Sequence, residues 1–264
     1  MSDLADLPEQ FIGTIEMMVE AVNAQPASGP LDDMCNRISE AYRGLGICAL
    51  LLGGDRDKFF HLLIHSALTR KLYLSKNGKE QRADPYRKAS INGPFLDAVA
   101  AAQWPLAREI AALSPTRWWD GEEYEDDFAY SRALYLMVAD RADAKALEAA
   151  IDQLERALEG QASPRLDVVR ALRDRDAKAF EDAFDALLDD HKQAYQKSDK
   201  TSLALDASYL PNKRVMIEGL AILQLAESLE LPTAREYRYC PKLARVPKYA
   251  PFESFGFPDI PLPK

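Results

Sequence analysis

Apolar residues recur along this chain at helical spacing. Leu7, Phe11, Ile15, Met18 and Val22 share one face of a predicted helix, and Leu31, Met34, Ile38, Tyr42, Leu45, Ala49 and Leu52 share one face of a second. Phe59 to Leu74 is apolar around most of its circumference, which predicts a helix covered on several sides. Asn77-Gly78 ends that pattern. Pro94 and Pro105 suit the first turns of two short helices, Phe95 to Ala102 and Leu106 to Leu113, where no amide hydrogen is needed. Phe128 to Ala139 is again almost continuously apolar, and Leu147, Ile151, Leu154 and Leu158 form the next stripe. Ser163-Pro164 reads as a cap and first residue for Arg165 to Arg173; Phe180, Phe184, Leu187, Leu188, His191 and Tyr195 mark a long amphipathic helix. Strand-like alternation with paired turn signals is missing, so the fold class is all-α.

Two features organise these helices. Residues 143–154 match residues 176–187 at eight of twelve positions, an offset of 33 that resembles the period of helix-turn-helix repeats. The expectation is helical hairpins packed as an irregular, repeat-like array, since no third clear copy follows. From Pro232 the character changes: seven of the 16 prolines fall in the last 33 residues, interleaved with Tyr237, Tyr239, Tyr249, Phe252, Phe255 and Phe257. Prolines at this density prevent a helix, and aromatics argue against a solvated tail. We expect a helical domain at 1–231, with a basic connector near 75–92, and an extended tail at 232–264 packed on it. A mobile or partner-bound tail is the alternative.

Charge is distributed unevenly. The molecule carries −9, yet residues 120–199 alone hold 21 Asp and Glu against 11 Lys and Arg, a local balance of −10. Such a block sets up a field of one sign, which steers a basic partner and repels nucleic acid. Residues 56–88 hold nine Lys and Arg against three acids, too local a patch to reverse that. The acidic start, Met1 to Asp6, lacks the basic and apolar regions of a secretory signal, and no apolar run approaches the roughly 20 residues of a membrane span. The chain reads as cytoplasmic, with no membrane partner. Three cysteines, Cys35, Cys48 and Cys240, agree. Cys35 and Cys48 on one straight helix would lie about 20 Å apart, beyond disulfide reach, although a bend at Gly44 or Gly46 would shorten that.

Catalytic grammar is thin. His61-Leu-Leu-Ile-His65 has the one-turn spacing of helical zinc sites, but Leu62 stands where a metalloprotease needs Glu, and only His191 remains as a third imidazole. Gly44-Leu-Gly46 and Gly53-Gly54 lack the Lys-Ser/Thr of a phosphate loop. No catalytic residue, metal or cofactor is therefore assigned. Glu218, in an otherwise apolar helix from Lys213 to Leu229, reads as a buried carboxylate paired with a distant base. Of Trp118 and Trp119, one reads as core and the other as a surface anchor.

The run Arg214-Val-Met-Ile-Glu-Gly-Leu-Ala-Ile-Leu-Gln-Leu-Ala-Glu227, then Leu229-Glu-Leu-Pro232, Glu236-Tyr237 and Cys240-Pro241, resembles the C-terminal signature of the immunity protein 49 family of bacterial polymorphic-toxin systems. The hairpins at 95–113 and 143–195 and the aromatic helix around Phe128 to Tyr135 are similar too. The resemblance implies a non-enzymatic helical protein that binds and neutralises a cognate toxin domain. It supplies no contact residues; those come from charge. An acidic surface competes for a basic active-site or substrate cleft by taking the place of phosphates. The acids expected to stand exposed and bind the partner are Glu122, Glu123, Glu125, Asp126, Asp127, Asp182, Asp189 and Asp190, with Trp119 as the aromatic anchor. The competing readings are a helical-repeat adaptor for a cellular protein or peptide, and a helical metalloenzyme using His61, His65 and a carboxylate.

Overall fold

In a computed structural model, which describes residues 3–24, 33–76, 84–139 and 143–246, the apolar stripes become the buried faces of helices. In chain order these are α1 (Leu7–Ala24), α2 (Met34–Gly53), α3 (Arg56–Lys76), α4 (Gly93–Ala100), α5 (Trp104–Leu113), α6 (Glu125–Met137), α7 (Ala144–Ala157), α8 (Pro164–Asp174), α9 (Ala177–Ser198), α10 (Tyr209–Arg214) and α11 (Ile217–Ser228). No β-strand occurs among the described residues, so the fold is all-α. Nor is any of their helices long and apolar enough to cross a membrane.

The N-terminal helices pack in sequence, α1 on α2 and α2 on α3. Phe11 lies on the α2 backbone at Gly44, where a Cβ would come within 2.4 Å of its ring. The α2 stripe differs from expectation at its C-terminal end. Leu52 is half exposed, while Cys35, Ala41, Ile47 and Cys48 are buried, because α3 covers a second side of the helix. Leu31 lies outside the described residues. All three cysteines are buried free thiols, Cys35 and Cys48 both on α2.

Helix α3 packs against α2, α4 and α5, which accounts for its all-round apolar composition. Two cations of the basic stretch at 56–88 do not belong to a surface patch. Arg70 is buried and donates to the Tyr86 and Lys88 carbonyls at 2.5 and 3.0 Å; Arg87 is buried and donates to the Leu74 carbonyl at 3.2 Å. Buried cations need such partners, so these two contribute structure rather than outward charge.

The internal repeat maps onto two hairpins, α6 with α7 and α8 with α9. Each repeat begins at a helix cap. Asp143 accepts the Ala146 amide at 2.9 Å, and Asp176 accepts the Lys178 and Ala179 amides at 3.0 Å. Equivalent positions are buried in both copies, Ile151 with Phe184 and Leu154 with Leu187. Helix α11 then packs on α4, returning the C-terminal part of the chain to its first half.

Beyond α11 the chain continues without an α-helix to Val246. The Met216 amide donates to the Tyr239 carbonyl at 2.9 Å, the Tyr237 hydroxyl donates to Glu181 at 2.9 Å, and Cys240 and Ala244 are buried. Arg245 pairs with Glu227 and donates to Thr233 at 2.7 Å. Tyr249, Phe252, Phe255 and Phe257, named above as tail aromatics, lie outside the described residues.

Candidate functional site

The acids nominated from sequence fall into two groups on different elements. The first is the turn leading into α6. Glu125, Asp126 and Asp127 occupy its first turn, where carboxylates complement the helix dipole. The preceding loop is pinned. Trp118 Nε1 donates to the Glu123 carbonyl at 2.9 Å, and the Glu123 carboxylate accepts the Ser90 amide at 2.8 Å. Gly121 makes the turn with φ +79°.

This pinning corrects the expectation that these acids stand exposed. Glu122, Glu123, Glu125, Asp126 and Asp127 are all half-buried, since the loop and neighbouring helices fold around the helix start. Glu125 accepts from Gln153 at 2.8 Å, and Asp127 accepts from Arg165 at 3.2 Å. Burial pushes the Asp127 carboxyl upward against the pull of Arg165. Trp119 is likewise half-buried, with the Arg117 guanidinium 4.5 Å above its ring, so it does not stand free as an anchor. The exposed aromatic is Tyr124, 80 % accessible and set between Glu122, Glu123, Glu125 and Asp126 in sequence.

The second group lies on the outer face of α9, opposite Phe180, Phe184, Leu187 and Leu188. Asp182, Asp189 and Asp190 are exposed as expected. Asp182 pairs with Lys178 at 2.6 Å, an exposed one-turn pair, and Asp189 with Arg238 at 2.8 Å. Asp185, which sequence reasoning passed over, is exposed beside them. Positions 182, 185 and 189 share one helical face, so spacing alone could have found it. Exposed pairs of this kind contribute little to stability, which leaves these carboxylates available to a partner.

Glu218 is held where α6, α8 and α11 meet. Arg165 presents its fork to it, Nε at 2.8 Å and Nη2 at 3.0 Å, while Nη1 reaches Asp127. The same guanidinium lies 4.9 Å from the Tyr130 ring centroid. Thus the carboxylate of the Glu-Gly-Leu-Ala run organises helix packing. His61 and His65 adjoin at 4.2 Å between ring centroids on α3, where His65 is buried edge-on to Tyr42; His191 stands on α9. Among the described residues no group of three His, Cys, Asp or Glu converges as metal ligands would.

The family model described as Immunity protein 49 matches residues 90–244, from just before α4 to the turn at Lys242–Ala244. That is more than half of the 264 residues. No curated protein and no solved structure matches the chain.

Proposed function

Because the chain belongs to the immunity protein 49 family, we propose that it binds and neutralises a cognate antibacterial toxin domain, with no catalytic step of its own. The observation that carries the mechanism is the balance of −10 over residues 120–199, borne outward chiefly by the exposed acids of α9. A toxin that works on nucleic acid or nucleotides has a basic cleft, and carboxylates presented on rigid helices take the place of phosphates in it. The protein then acts in the cytoplasm on a basic protein domain, rather than on nucleic acid or a membrane.

Rigidity supports the reading. Exposed Tyr124 rides on a loop held by Trp118, Glu123 and Ser90, so little conformational freedom is lost when a partner covers it. Exposed Asp182, Asp185, Asp189 and Asp190 supply long-range attraction. Glu123, Glu125 and Asp127 hold structure and orient that surface.

The test is to read the genes beside this one, purify any toxin domain they encode, measure its binding to the chain, and assay protection. Binding with loss of toxic activity is expected. A neighbouring gene with no toxin character, together with capture of a cellular peptide by the α6–α9 hairpins, would instead favour the adaptor reading that their repeat suggests.

A further inference from the structure

An open cleft of about 260 Å³ lies where α2, α4, α9, α10 and α11 converge. Arg43, Gly93, His191, Tyr195, Asn212 and Glu218 line it. None of the toxin-binding residues nominated above is among them.

Its hydrogen-bonding capacity is lopsided. The carboxylates here are already engaged: Asp97, fully buried behind Arg43, takes Nε and Nη2 of that arginine at 2.8 Å each and the Ser66 hydroxyl at 2.5 Å. Glu218 is held by the Arg165 fork. Arg43 Nη1, the Tyr195 hydroxyl and the Asn212 side-chain amide make no hydrogen bond to another described residue, although Arg43 interacts electrostatically with Tyr195 and with Glu40. The same holds for the backbone amides of Gly93 and Ile217, the first residues of α4 and α11, whose cap residues Asn92 and Met216 make no side-chain cap bond. Unsatisfied donors at two helix starts favour negative charge, and here they come with a guanidinium and a phenol.

His191 completes the wall. Its Nε2 is buried without a partner, and burial lowers the ring's pKa, outweighing the raising influences of the Lys213 backbone and Glu218. A neutral ring accepts a hydrogen bond there, which a hydrogen phosphate supplies and a carboxylate does not. Gly93 is necessary to the arrangement: a Cβ would fall 2.4 Å from Arg43 Nη2 and push the guanidinium away.

We propose that this cleft binds a small oxyanion, a carboxylate or a phosphate, through Arg43 Nη1, the Tyr195 hydroxyl and the Asn212 amide. Arg165 is shared between Glu218 and Asp127, so the local ion pairs leave no net positive charge, and selectivity comes from the surplus of donors. The site is independent of the toxin reading and stands whether or not a toxin is the partner.

The experiment titrates the full chain with inorganic phosphate and, separately, with acetate at constant ionic strength, following the Gly93 and Ile217 amide resonances. Saturable shifts with at least one of the two anions are expected, and the stronger binder identifies the source chemistry. Tyr195→Phe keeps the ring that packs on His191 and Tyr209, and Asn212→Ala removes a half-buried amide. Together they should weaken binding about tenfold or more, as loss of hydrogen bonds to a charged group implies. If the double variant loses helical content, Tyr195→Phe alone provides the comparison. Absence of saturable shifts with both anions, or unchanged affinity in the folded variant, overturns the proposal.

Discussion

Cys240 Sγ fills the space that a side chain on Gly219 would need: a Cβ there would lie 2.6 Å from the sulfur. The contact joins the first turn of α11 to the segment that follows it, and it gives a reason for glycine in the Glu-Gly-Leu-Ala run and for cysteine before Pro241. Gly219→Ala should destabilise the protein by about 1–3 kcal/mol through overpacking. Cys240→Ala should relieve part of that in the double variant, so urea denaturation should give strongly non-additive effects. Additive losses would mean the two residues do not share this space.

The Arg165–Glu218 pair should contribute measurably to stability. Glu218 is mostly buried, but the Arg165 side chain is 42 % exposed, so solvent discounts the interaction. Glu218→Gln keeps the shape and removes the charge; a loss of about 1–2 kcal/mol is expected in urea. Asp127→Asn, which removes only the longer 3.2 Å contact, should cost less.

His191 gives stability a dependence on pH. Burial lowers its folded pKa below the ordinary value of 6.5. The unfolded chain therefore takes up the proton first as pH falls, and folding loses stability from about pH 6.5 downward until the folded pKa is reached. Asp127, whose folded pKa is raised, acts in the opposite sense at lower pH. His191→Gln should flatten the Tm profile between pH 7.5 and 5.5 relative to the parent chain; identical profiles would contradict this.

Much of the helical framework was legible because its cues are local. Periodic stripes and first-turn prolines at Pro94 and Pro105 each report on a few neighbouring residues. Glu218 was legible as a buried carboxylate, but not its partner, since Arg165 lies 53 residues away and only tertiary packing joins them. Exposure failed at the start of α6 for the same reason. A run of five acids around Tyr124 looks solvated in sequence, whereas Ser90, Gln153 and Arg165 reach Glu123, Glu125 and Asp127 from distant segments. Trp119 is covered by Arg117, two residues before it, and the exposed aromatic of this loop is Tyr124 instead.

Tyr124→Ala should separate binding from folding. With 80 % of its surface accessible, the side chain contributes little to stability, and Tm should stay within experimental scatter. As an interface anchor, its removal should weaken toxin binding by more than about 1 kcal/mol, mainly through faster dissociation. Unchanged dissociation would remove Tyr124 from the interface.

The acidic surface is tested most directly by reversing carboxylates that hold no hydrogen bond to the rest of the described structure. Glu122, Asp126, Asp185 and Asp190 qualify, and all four should be changed to Lys in one variant, with folding checked by circular dichroism. Association with a toxin domain identified by the binding and protection assays is then measured across a salt series spanning Debye lengths from about 30 to 8 Å. The account predicts association slowed about tenfold or more at low salt, a flattened salt dependence and weakened protection. An unchanged association rate and salt slope, with protection intact, would contradict it.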